Sequence, residues 1–432
     1  MKKIKVLLLV AECWRCDSAG GNTINNFFSG MDAEFAQIFN SESLPMNDSC
    51  TRYFRFTRND MIKNFWSRKP CGSIFNLSDI NKANGEKRIY TKSKAFSLIK
   101  ATRFNIFLTL SKIISRYSNW KTKELEKFIL DFDPDVIYAP CYADPFWLAL
   151  TRYVKDLTNK KVVSYTSDDC YSLRQFSLSP IYWLNRFWDR HCLRKTYPYF
   201  DVLYSISEDE IEEMSPITKK DMKILRKGCE LKNVFSGKPV NNPIKLIYAG
   251  GIYINRWKIL ARIGRILKEI NKDEVKMTLS VYTQNTMTKK QQVALNDNRN
   301  IFCYKAVDAD TLAQLYKESD LAIHCESFSL KNRLITRLSF STKIVDCLAS
   351  SCAVLAIAWE EHAGLKYLKN NDAAICVTDI NEIEATLSEI VRNPDILKDY
   401  QKKAYACCEK NHNIGEIQNE LYSTFLSLSA LD

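Results

Sequence analysis

Two features that many proteins carry are missing from this sequence of 432 residues. It contains only 12 glycines, which argues against a glycine-rich repeat or linker protein. It also lacks an apolar run of the ~20 residues that a membrane-spanning helix needs. The apolar run Val6–Val10 is short, Glu12 and Arg15 follow it soon, and the small-residue cleavage site of a signal peptide is missing. We therefore interpret residues 4–10 as a buried first strand.

Disulfide and metal signatures are missing as well. The 15 cysteines are an odd number, and the close pairs Cys13–Cys16 and Cys407–Cys408 have no second pair at zinc spacing. Asp308-Ala-Asp310 is similar to a metal-binding Asp-x-Asp, but it opens a predicted helix, and capping explains it better. We predict a cytoplasmic protein with reduced thiols, which uses no metal and no cofactor.

What is present is an ordinary globular composition. Hydrophobic residues make up 46% and charged residues 26% of the chain, and its length suits two Rossmann-sized domains. The formal net charge of +12 favours anionic partners such as phosphates, nucleic acid or an anionic membrane. Neither a nucleic-acid recognition module, nor a P-loop, nor a complete G-x-G-x-x-G motif is visible, so we expect no nucleic-acid partner.

Strands and helices alternate along the chain, which predicts parallel sheets with βαβ crossovers. Strand 4–10, a loop with Gly20 and Gly21, and a helix from about Thr23 to Phe39 suggest a Rossmann-like opening. Residues 40–92 show no lasting period, and a helix is predicted at 97–117. The polar residues 236–243, with two prolines, are the best linker, and a second α/β series follows them.

This organisation predicts three parts. The first is an N-terminal Rossmann-like domain at 1–238. The second is a Rossmann-like domain at 239–412. The third is a C-terminal helix within 413–432 that packs back on the first domain.

One predicted helix start in the second half combines groups that suit a nucleotide. Ser341 and Thr342 stand at the start of a helix whose first turn carries Lys343 and Asp346. Free N–H groups and a lysine can hold a diphosphate, and a carboxylate can accept hydrogen bonds from both ribose hydroxyls. The alternative is an ordinary capped helix with both charged side chains in solvent.

The same region resembles the family 4 glycosyltransferases of the GT-B fold. Members often show Ser/Thr-Lys-Ile/Leu-x-Asp/Glu-Tyr-Leu-Ala before a buried Pro-Val-Leu strand, and this chain has 342–349 followed by 353–356. Cys347 replaces the usual Tyr, and Ala353 replaces the usual Pro. Lys227-Gly228-Cys229 is similar to the Asn-Gly-Val that closes the first domain of such enzymes. The resemblance implies an α/β GT-B fold, in which two Rossmann-like domains face each other across a cleft.

The resemblance also implies that the domain at 1–238 lies on the acceptor side and that the domain at 239–412 binds the nucleotide-sugar donor. Arg256 and Lys258 follow the Gly250-Gly251 turn, where family members use basic residues to clamp the donor diphosphate and stabilise the leaving group. Gly251 stands where the family usually has arginine, so Arg256 would have to reach back. A solvated basic turn is the alternative.

Further contacts with the donor and acceptor are implied in the same way. Glu326 and Ser327 lie where retaining members contact the donor sugar, although Leu334 replaces the second glutamate of the usual pair. Asp168 and Asp169 end a strand where members often carry His-Asp, so Asp168 is a candidate to orient or deprotonate the acceptor hydroxyl. Helix capping is the alternative there. The Gly20-Gly21 pair could let the backbone approach the donor, and a plain turn is the alternative.

Basic and aromatic residues cluster in the first half. Arg186, Arg190 and Arg194 are spaced by four residues on a predicted helix at 182–197 that also carries Trp183 and Trp188. A basic helix with aromatic residues can lie on an anionic membrane. The hypothesis is peripheral binding to the inner, cytoplasmic face of the membrane. The alternative is an ordinary amphipathic helix with snorkelling arginines.

These features predict a metal-independent, hexosyltransferase-like glycosyltransferase that uses a nucleotide sugar. The family resemblance implies that the acceptor is a glycan or lipid-linked glycan in surface polysaccharide synthesis, and that the transfer proceeds with retention. A catalytically inactive GT-B scaffold that binds a glycan or a partner protein is the alternative, which the missing arginine and glutamate favour. A nucleotide-sugar epimerase on the same fold is a further alternative.

Overall fold

The computed structural model describes residues 3–15, 19–76, 105–231 and 237–430. Its strands, numbered along the chain, are β1 Ile4–Leu9, β2 Ala33–Phe39, β3 Cys50–Arg55, β4 Ser73–Asn76, β5 Val136–Tyr138, β6 Lys161–Thr166, β7 Val202–Ser205, β8 Met222–Ile224, β9 Ile244–Ala249, β10 Met277–Thr283, β11 Ile301–Lys305, β12 Leu321–Cys325, β13 Ala353–Ile357 and β14 Ile375–Val377. Within these ranges the strands form two sheets, ordered β4-β3-β2-β1-β5-β6-β7-β8 and β11-β10-β9-β12-β13-β14. Neighbouring strands are parallel except for the antiparallel pair β3–β4.

Helices connect the strands and cover both faces of the sheets. They are α1 Ala19–Phe28, α2 Arg58–Ser67, α3 Asn105–Tyr117, α4 Lys123–Phe132, α5 Pro145–Thr158, α6 Pro180–Thr196, α7 Glu208–Thr218, α8 Arg256–Ile270, α9 Lys289–Leu295, α10 Ala309–Glu318, α11 Leu330–Thr336, α12 Thr342–Leu348, α13 Ala363–Asn370, α14 Ile383–Arg392, α15 Ile396–Asn411 and α16 Ile414–Ser429. None of these described helices is long and apolar enough to span a bilayer.

The strand order reverses beside β1 in the first sheet and beside β9 in the second. Such a reversal is the switch point of a doubly wound sheet, and ligands bind outside the carboxyl ends of the strands there. The central strands are buried on both faces, as parallel strands between helices must be. In β13, for example, all five residues are fully buried. The fold therefore places a candidate binding edge in each half.

The two halves pack directly against each other. Ile206 and Leu225 of the first half share one apolar core with Phe340 of the second. The Arg226 guanidinium lies 4.7 Å from the Phe340 ring centroid. Apolar contacts therefore join the two halves, and polar groups also meet across this junction.

The predicted loop at Gly20–Gly21 and the helix from Thr23 to Phe39 are wrong. Helix α1 begins at Ala19, so both glycines lie in its first turn, and it ends at Phe28. Gly30 then adopts a φ of 80°, a conformation that glycine tolerates and that ends the helix. The residues that follow form the buried strand β2.

The stretch without a visible period holds regular structure at 40–76. Strands β3 and β4 extend the first sheet, and α2 lies between them. Residues 77–92 lie outside the described ranges. Residues 97–104 of the helix predicted at 97–117 also lie outside them, and α3 forms the remainder of that helix.

The chain passes between the two halves twice, and the two passages lie side by side. Cys229 on the first passage forms an isolated parallel bridge with Asn413 on the second. Residues 237–243 of the predicted linker form neither helix nor strand, and residue 236 lies outside the described ranges. Helix α16 then contacts α1, β1, β5 and β6 of the first half. The exact domain bounds stay predictions.

Candidate active site

Lys343 and Gly250 meet at the carboxyl edge of the second sheet. Gly250 follows β9 with a φ of 152°, and a Cβ atom built there would collide with the Lys343 Nζ. The positive φ favours glycine at this turn, and the missing Cβ lets the lysine ammonium lie directly against the backbone. The Nζ lies 3.5 Å from the Tyr248 hydroxyl and 5.2 Å from the Tyr248 ring centroid. The backbone turn and the cation, which lie far apart in sequence, thus form one corner.

The charge of Lys343 is poorly compensated in this corner. Burial lowers the pKa of Lys343, and the neighbouring Arg256 lowers it further. Among the described residues, no carboxylate lies within ion-pair distance of its Nζ. A bound anion would relieve both effects, because an opposite charge favours the ammonium form.

Arg256 and Glu326 form a buried pair beside Lys343. The Arg256 Nε lies 3.0 Å from one Glu326 carboxylate oxygen and the second guanidinium nitrogen lies 2.6 Å from the other. Burial acts to lower the pKa of Arg256, but the Glu326 carboxylate outweighs it, so the pKa is raised. Bidentate pairing neutralises both charges inside the protein. Two predicted donor contacts therefore bind each other here.

Two histidines complete the second-domain side of the site. His324 lies one residue before the end of β12 and His362 precedes α13, with ring centroids 6.0 Å apart. His362 Nδ1 accepts the N–H of Leu365 at 3.2 Å, so the neutral ring carries its proton on Nε2. Both Nε2 atoms are buried, and the described residues offer neither of them a hydrogen-bond partner. Burial lowers the pKa of both rings, that of His362 to about 4, so both are uncharged at neutral pH.

The predicted nucleotide helix is shorter than expected. Helix α12 has only seven residues, and Ser341 occupies its N-cap without a side-chain capping bond. Thr342 is exposed. The Asp346 carboxylate forms an ion pair with Lys227, which lies at the end of the first half, and 42% of the Asp346 side chain is exposed. Asp346 therefore lies at the junction of the two halves.

Asp168 and Asp169 have separate surroundings. Ser339 of the second half donates a hydrogen bond to Asp168 Oδ1 at 3.1 Å. The Asp168 side chain is exposed. Desolvation by the surrounding protein raises the pKa of Asp168, the Ser339 hydrogen bond opposes this, and Asp169 raises it further. Asp169 instead pairs with Arg186 at 2.8 Å and Arg337 at 3.3 Å.

The remaining predicted residues are arranged as follows. The Ser327 hydroxyl accepts from the Asn332 side chain at 3.1 Å and from the Ser329 N–H at 3.3 Å, so it fixes the loop after β12. Asp308 caps α10 by accepting the N–H of Thr311 at 2.9 Å, as predicted. Among the described residues, no three His, Cys, Asp or Glu side chains converge on a point that could hold a metal.

The structure thus brings Gly250, Lys343, Arg256 and Glu326 together, and it leaves Gly20 and Gly21 in a helix. Sequence reasoning missed Tyr248 and His362. Tyr248 could have been found, because it stands near the end of a strand, two residues before the Gly250-Gly251 pair. His362 could not, because its approach to His324 depends on the pairing of β12 with β13.

Comparisons with known proteins define the fold. No family model and no curated protein matches the sequence. Among solved structures, HepE of Anabaena in complex with UDP and glucose aligns with a TM-score of 0.60 and 11% identity, over 98% of this chain and 100% of that one. Sucrose-phosphate synthase of Thermosynechococcus elongatus gives 0.63 and 10%, with all of both chains covered.

Trehalose-6-phosphate synthase of Burkholderia multivorans gives a TM-score of 0.62 at 10% identity, also with full coverage of both chains. Together with the two switch-point sheets, these likenesses show that the chain has the GT-B fold. Two Rossmann-like domains face each other across a cleft, and the predicted fold class is confirmed.

Proposed function

We propose that this chain is a glycosyltransferase that moves a sugar from a nucleotide sugar to a glycan or lipid-linked glycan. The role we propose is in the synthesis of a surface polysaccharide, as the resemblance to family 4 implies. The observation that carries the proposal is the Lys343 ammonium held against Gly250 at the switch point of the second sheet. UDP-sugars are the first donors to test, because HepE was crystallised with UDP and with UDP-glucose.

The donor diphosphate would lie on Lys343. Its buried ammonium lacks a carboxylate partner among the described residues, and a diphosphate supplies the missing negative charge. The same ammonium would stabilise the charge that develops on the leaving phosphate. Arg256 would hold Glu326 in position beside the donor sugar, because both hydrogen bonds of the pair fix the carboxylate.

The nucleoside would extend from the phosphates toward Asp346. One Asp346 oxygen pairs with Lys227, and a carboxylate has enough lone pairs to accept ribose hydroxyls as well. The N–H groups at Ser341 and Thr342 directly precede Lys343 at the start of the helix whose fifth residue is Asp346. Phosphate and ribose ligands would therefore come from one short stretch of chain.

The acceptor hydroxyl would approach from the first domain, where Asp168 faces the cleft. Its carboxylate could orient the hydroxyl and accept its proton, and we propose retention at the transferred carbon. Asp168→Asn should lower kcat with little change in donor affinity. Ser339→Ala removes the neighbouring hydrogen bond while leaving the carboxylate, so it is the matched control. A loss of donor affinity in Asp168→Asn that is as large as its loss of kcat would contradict an acceptor role.

A screen of nucleotide sugars tests the function as a whole. Thermal-shift measurements with UDP-, GDP-, ADP- and CMP-sugars should give stabilisation by one base family, and that donor should be hydrolysed or transferred. Binding without turnover would instead support a GT-B scaffold that lacks catalysis. The Arg256–Glu326 pair favours that alternative, because Glu326 engages Arg256, which was predicted to bind the donor diphosphate.

We also propose that the protein binds an anionic membrane peripherally, but through apolar side chains. The three arginines of α6 do not form an exposed stack. Arg186 pairs with buried Asp169, and Arg190 and Arg194 lie 4.0 and 5.6 Å from the Tyr171 ring centroid. On the same helix and the loop before it, large apolar side chains are exposed instead: Leu178 (89%), Leu184 (69%) and Phe187 (54%).

Helix α3 packs beside α6, and its Leu110 and Tyr117 are also exposed. Arg116 lies 5.3 Å from the Tyr117 ring centroid, and Lys195 of α6 is exposed. Apolar side chains with basic neighbours suit an anionic lipid surface. Flotation with anionic vesicles at low salt should recover the wild type and lose Leu184→Asp. Val293→Asp, at an exposed position elsewhere, is the control and should float like the wild type. Equal flotation of Val293→Asp and Leu184→Asp would contradict membrane binding through this surface.

A further inference from the structure

We propose that Cys229 and Cys408 form a reversible modification site, a thiol pair that closes to a disulfide and clamps the two passages between the domains. The two sulfur atoms lie 3.0 Å apart although 179 positions separate them in sequence. Cys229 belongs to the passage that leaves the first half. Cys408 lies near the end of α15, just before the chain returns.

The backbone holds both cysteines in register. The Cys229 N–H donates to the carbonyl of His412 at 2.8 Å, and the Ile414 N–H donates to the carbonyl of Cys229 at 3.3 Å. The His412 N–H donates to the carbonyl of Cys408 at 2.8 Å. Since a disulfide bond is ~2.05 Å long, the sulfurs need to approach by only about 1 Å. A side-chain adjustment therefore closes the pair without moving the anchored backbone.

The two thiols differ in access and reactivity. Cys229 is partly exposed, whereas Cys408 is buried. A hydrogen bond from the Cys408 thiol lowers the pKa of Cys229, burial and Asp346 oppose this, and Lys227 lowers it further. A thiolate is the form that attacks a disulfide. Cys229 is thus the attacking thiol, and Cys408 is the resolving thiol behind it.

The reaction balances with a small-molecule disulfide such as glutathione disulfide. The Cys229 thiolate attacks one sulfur, the glutathione S–S bond breaks, and one glutathione thiolate leaves and takes up a proton. Cys408 loses its proton and attacks the mixed disulfide at the Cys229 sulfur, which releases the second glutathione. Two protein thiols are oxidised, and one glutathione disulfide is reduced to two thiols.

The closed bond would act on the junction between the domains. The loop that it closes contains every strand of the second sheet, from β9 to β14. It also joins the two passages about which the domains can move, two residues from the Lys227–Asp346 pair. Any consequence for donor binding rests on the proposed function, whereas the thiol pair itself does not.

Oxidation of the full chain in glutathione buffers tests the site. We expect one disulfide, mapped by peptide mass spectrometry to Cys229 and Cys408, and a rise of the thermal midpoint on the order of 5 °C that dithiothreitol reverses. Cys229→Ser and Cys408→Ser should each abolish both effects. Cys407→Ser should keep both, because the Cys407 sulfur contacts the Tyr367 hydroxyl at 3.4 Å instead.

Three outcomes would overturn the proposal. They are a fully reduced Cys229–Cys408 pair under conditions that oxidise other cysteines, a disulfide from Cys229 to Cys407, and a mapped disulfide without a thermal shift. These measurements need no donor. Failure of both redox forms to bind any nucleotide sugar would therefore count against the proposed function and leave the thiol site intact.

Discussion

The two sides of the cleft hold opposite charges in different ways. On the second-domain side, Lys343 is a partly buried cation, and the described residues place no carboxylate within ion-pair distance of it. On the first-domain side, Asp168 is a carboxylate whose described hydrogen bond comes from the Ser339 hydroxyl. An uncompensated cation suits an anionic ligand, and a carboxylate suits a hydroxyl. On the function that we propose, the donor and the acceptor would therefore lie on opposite walls.

The same contrast exists within the second domain. Arg256 is satisfied by Glu326, while the neighbouring Lys343 is not satisfied by any described carboxylate. One cation therefore stabilises the fold, and the other is available to a ligand. Mutation of Arg256 should therefore mainly lower the stability of the fold, and mutation of Lys343 should mainly weaken the binding of an anionic ligand.

The largest effect is expected for Arg256→Ala. The change leaves the Glu326 carboxylate buried without its partner, so the free energy of unfolding should fall by about 3–5 kcal/mol. Urea denaturation measures it. Lys258→Ala, on the exposed side of the same helix, should change it by less than ~0.5 kcal/mol. Equal effects of the two substitutions would contradict a structural pair.

The next effect concerns Glu210, which adds to the acidic first-domain side. Burial raises the pKa of Glu210 to about 7, hydrogen bonds from Ser205 and Thr166 oppose this, and Asp168 raises it further. A pKa raised by folding gives stability that is present at low pH and is lost as the pH rises through the folded value.

Relative to Glu210→Gln, the wild type should therefore lose about 3 kcal/mol of unfolding free energy between pH 5 and pH 8. Denaturation at several pH values measures this. The exposed Glu212 on the same helix supplies the control Glu212→Gln, which should follow the wild type at every pH. If the difference in unfolding free energy between the wild type and Glu210→Gln did not change with pH, the raised pKa of Glu210 would be refuted.

A smaller effect is expected for Lys343→Ala, and unlike that of Arg256→Ala it should appear in ligand binding and not in stability. Loss of a charge-assisted contact should weaken nucleoside diphosphate binding by about 2 kcal/mol, or about 30-fold. The free energy of unfolding should not fall, because a poorly compensated buried charge is removed. Titration calorimetry and denaturation give the two values. Lys369→Ala, an exposed ion-paired lysine, is the control that should leave binding unchanged.

The smallest effect is expected for Asp346→Ala. Loss of the ribose acceptor should weaken nucleotide binding about tenfold, or about 1.4 kcal/mol. Lys227→Ala removes the same ion pair and keeps the carboxylate, so its affinity should stay close to that of the wild type. Identical losses in both variants would mean that the ion pair, and not the ribose contact, matters.

The sequence predicted the second domain better than the first. Strand 353–357 has the unbroken apolar pattern of a buried parallel strand, and strand 244–248 departs from it only at the exposed Lys245, so local patterns located both. The first domain was predicted less well because Phe35 to Phe39 suit either a helix or a strand. The short elements at 50–76 show no lasting hydrophobic periodicity, and the position of their two strands at the sheet edge depends on tertiary pairing.

Part of the candidate site was also within reach of sequence patterns. Gly250 and Lys343 were both singled out, but their contact follows from the strand order β9-β12-β13, which local patterns do not encode. The Arg256–Glu326 pair was missed for a related reason. Each residue was assigned to a ligand, and only the fold shows that they bind each other.

A crystal structure of the chain with the nucleotide of the donor that the screen selects, UDP in the first instance, tests the central claim most directly. The account predicts that the phosphates lie at the carboxyl edge of the second sheet, with a phosphate oxygen about 3 Å from the Lys343 Nζ. The selected nucleotide bound elsewhere on the chain, or a second-domain edge that stays empty at its saturating concentration, would contradict it.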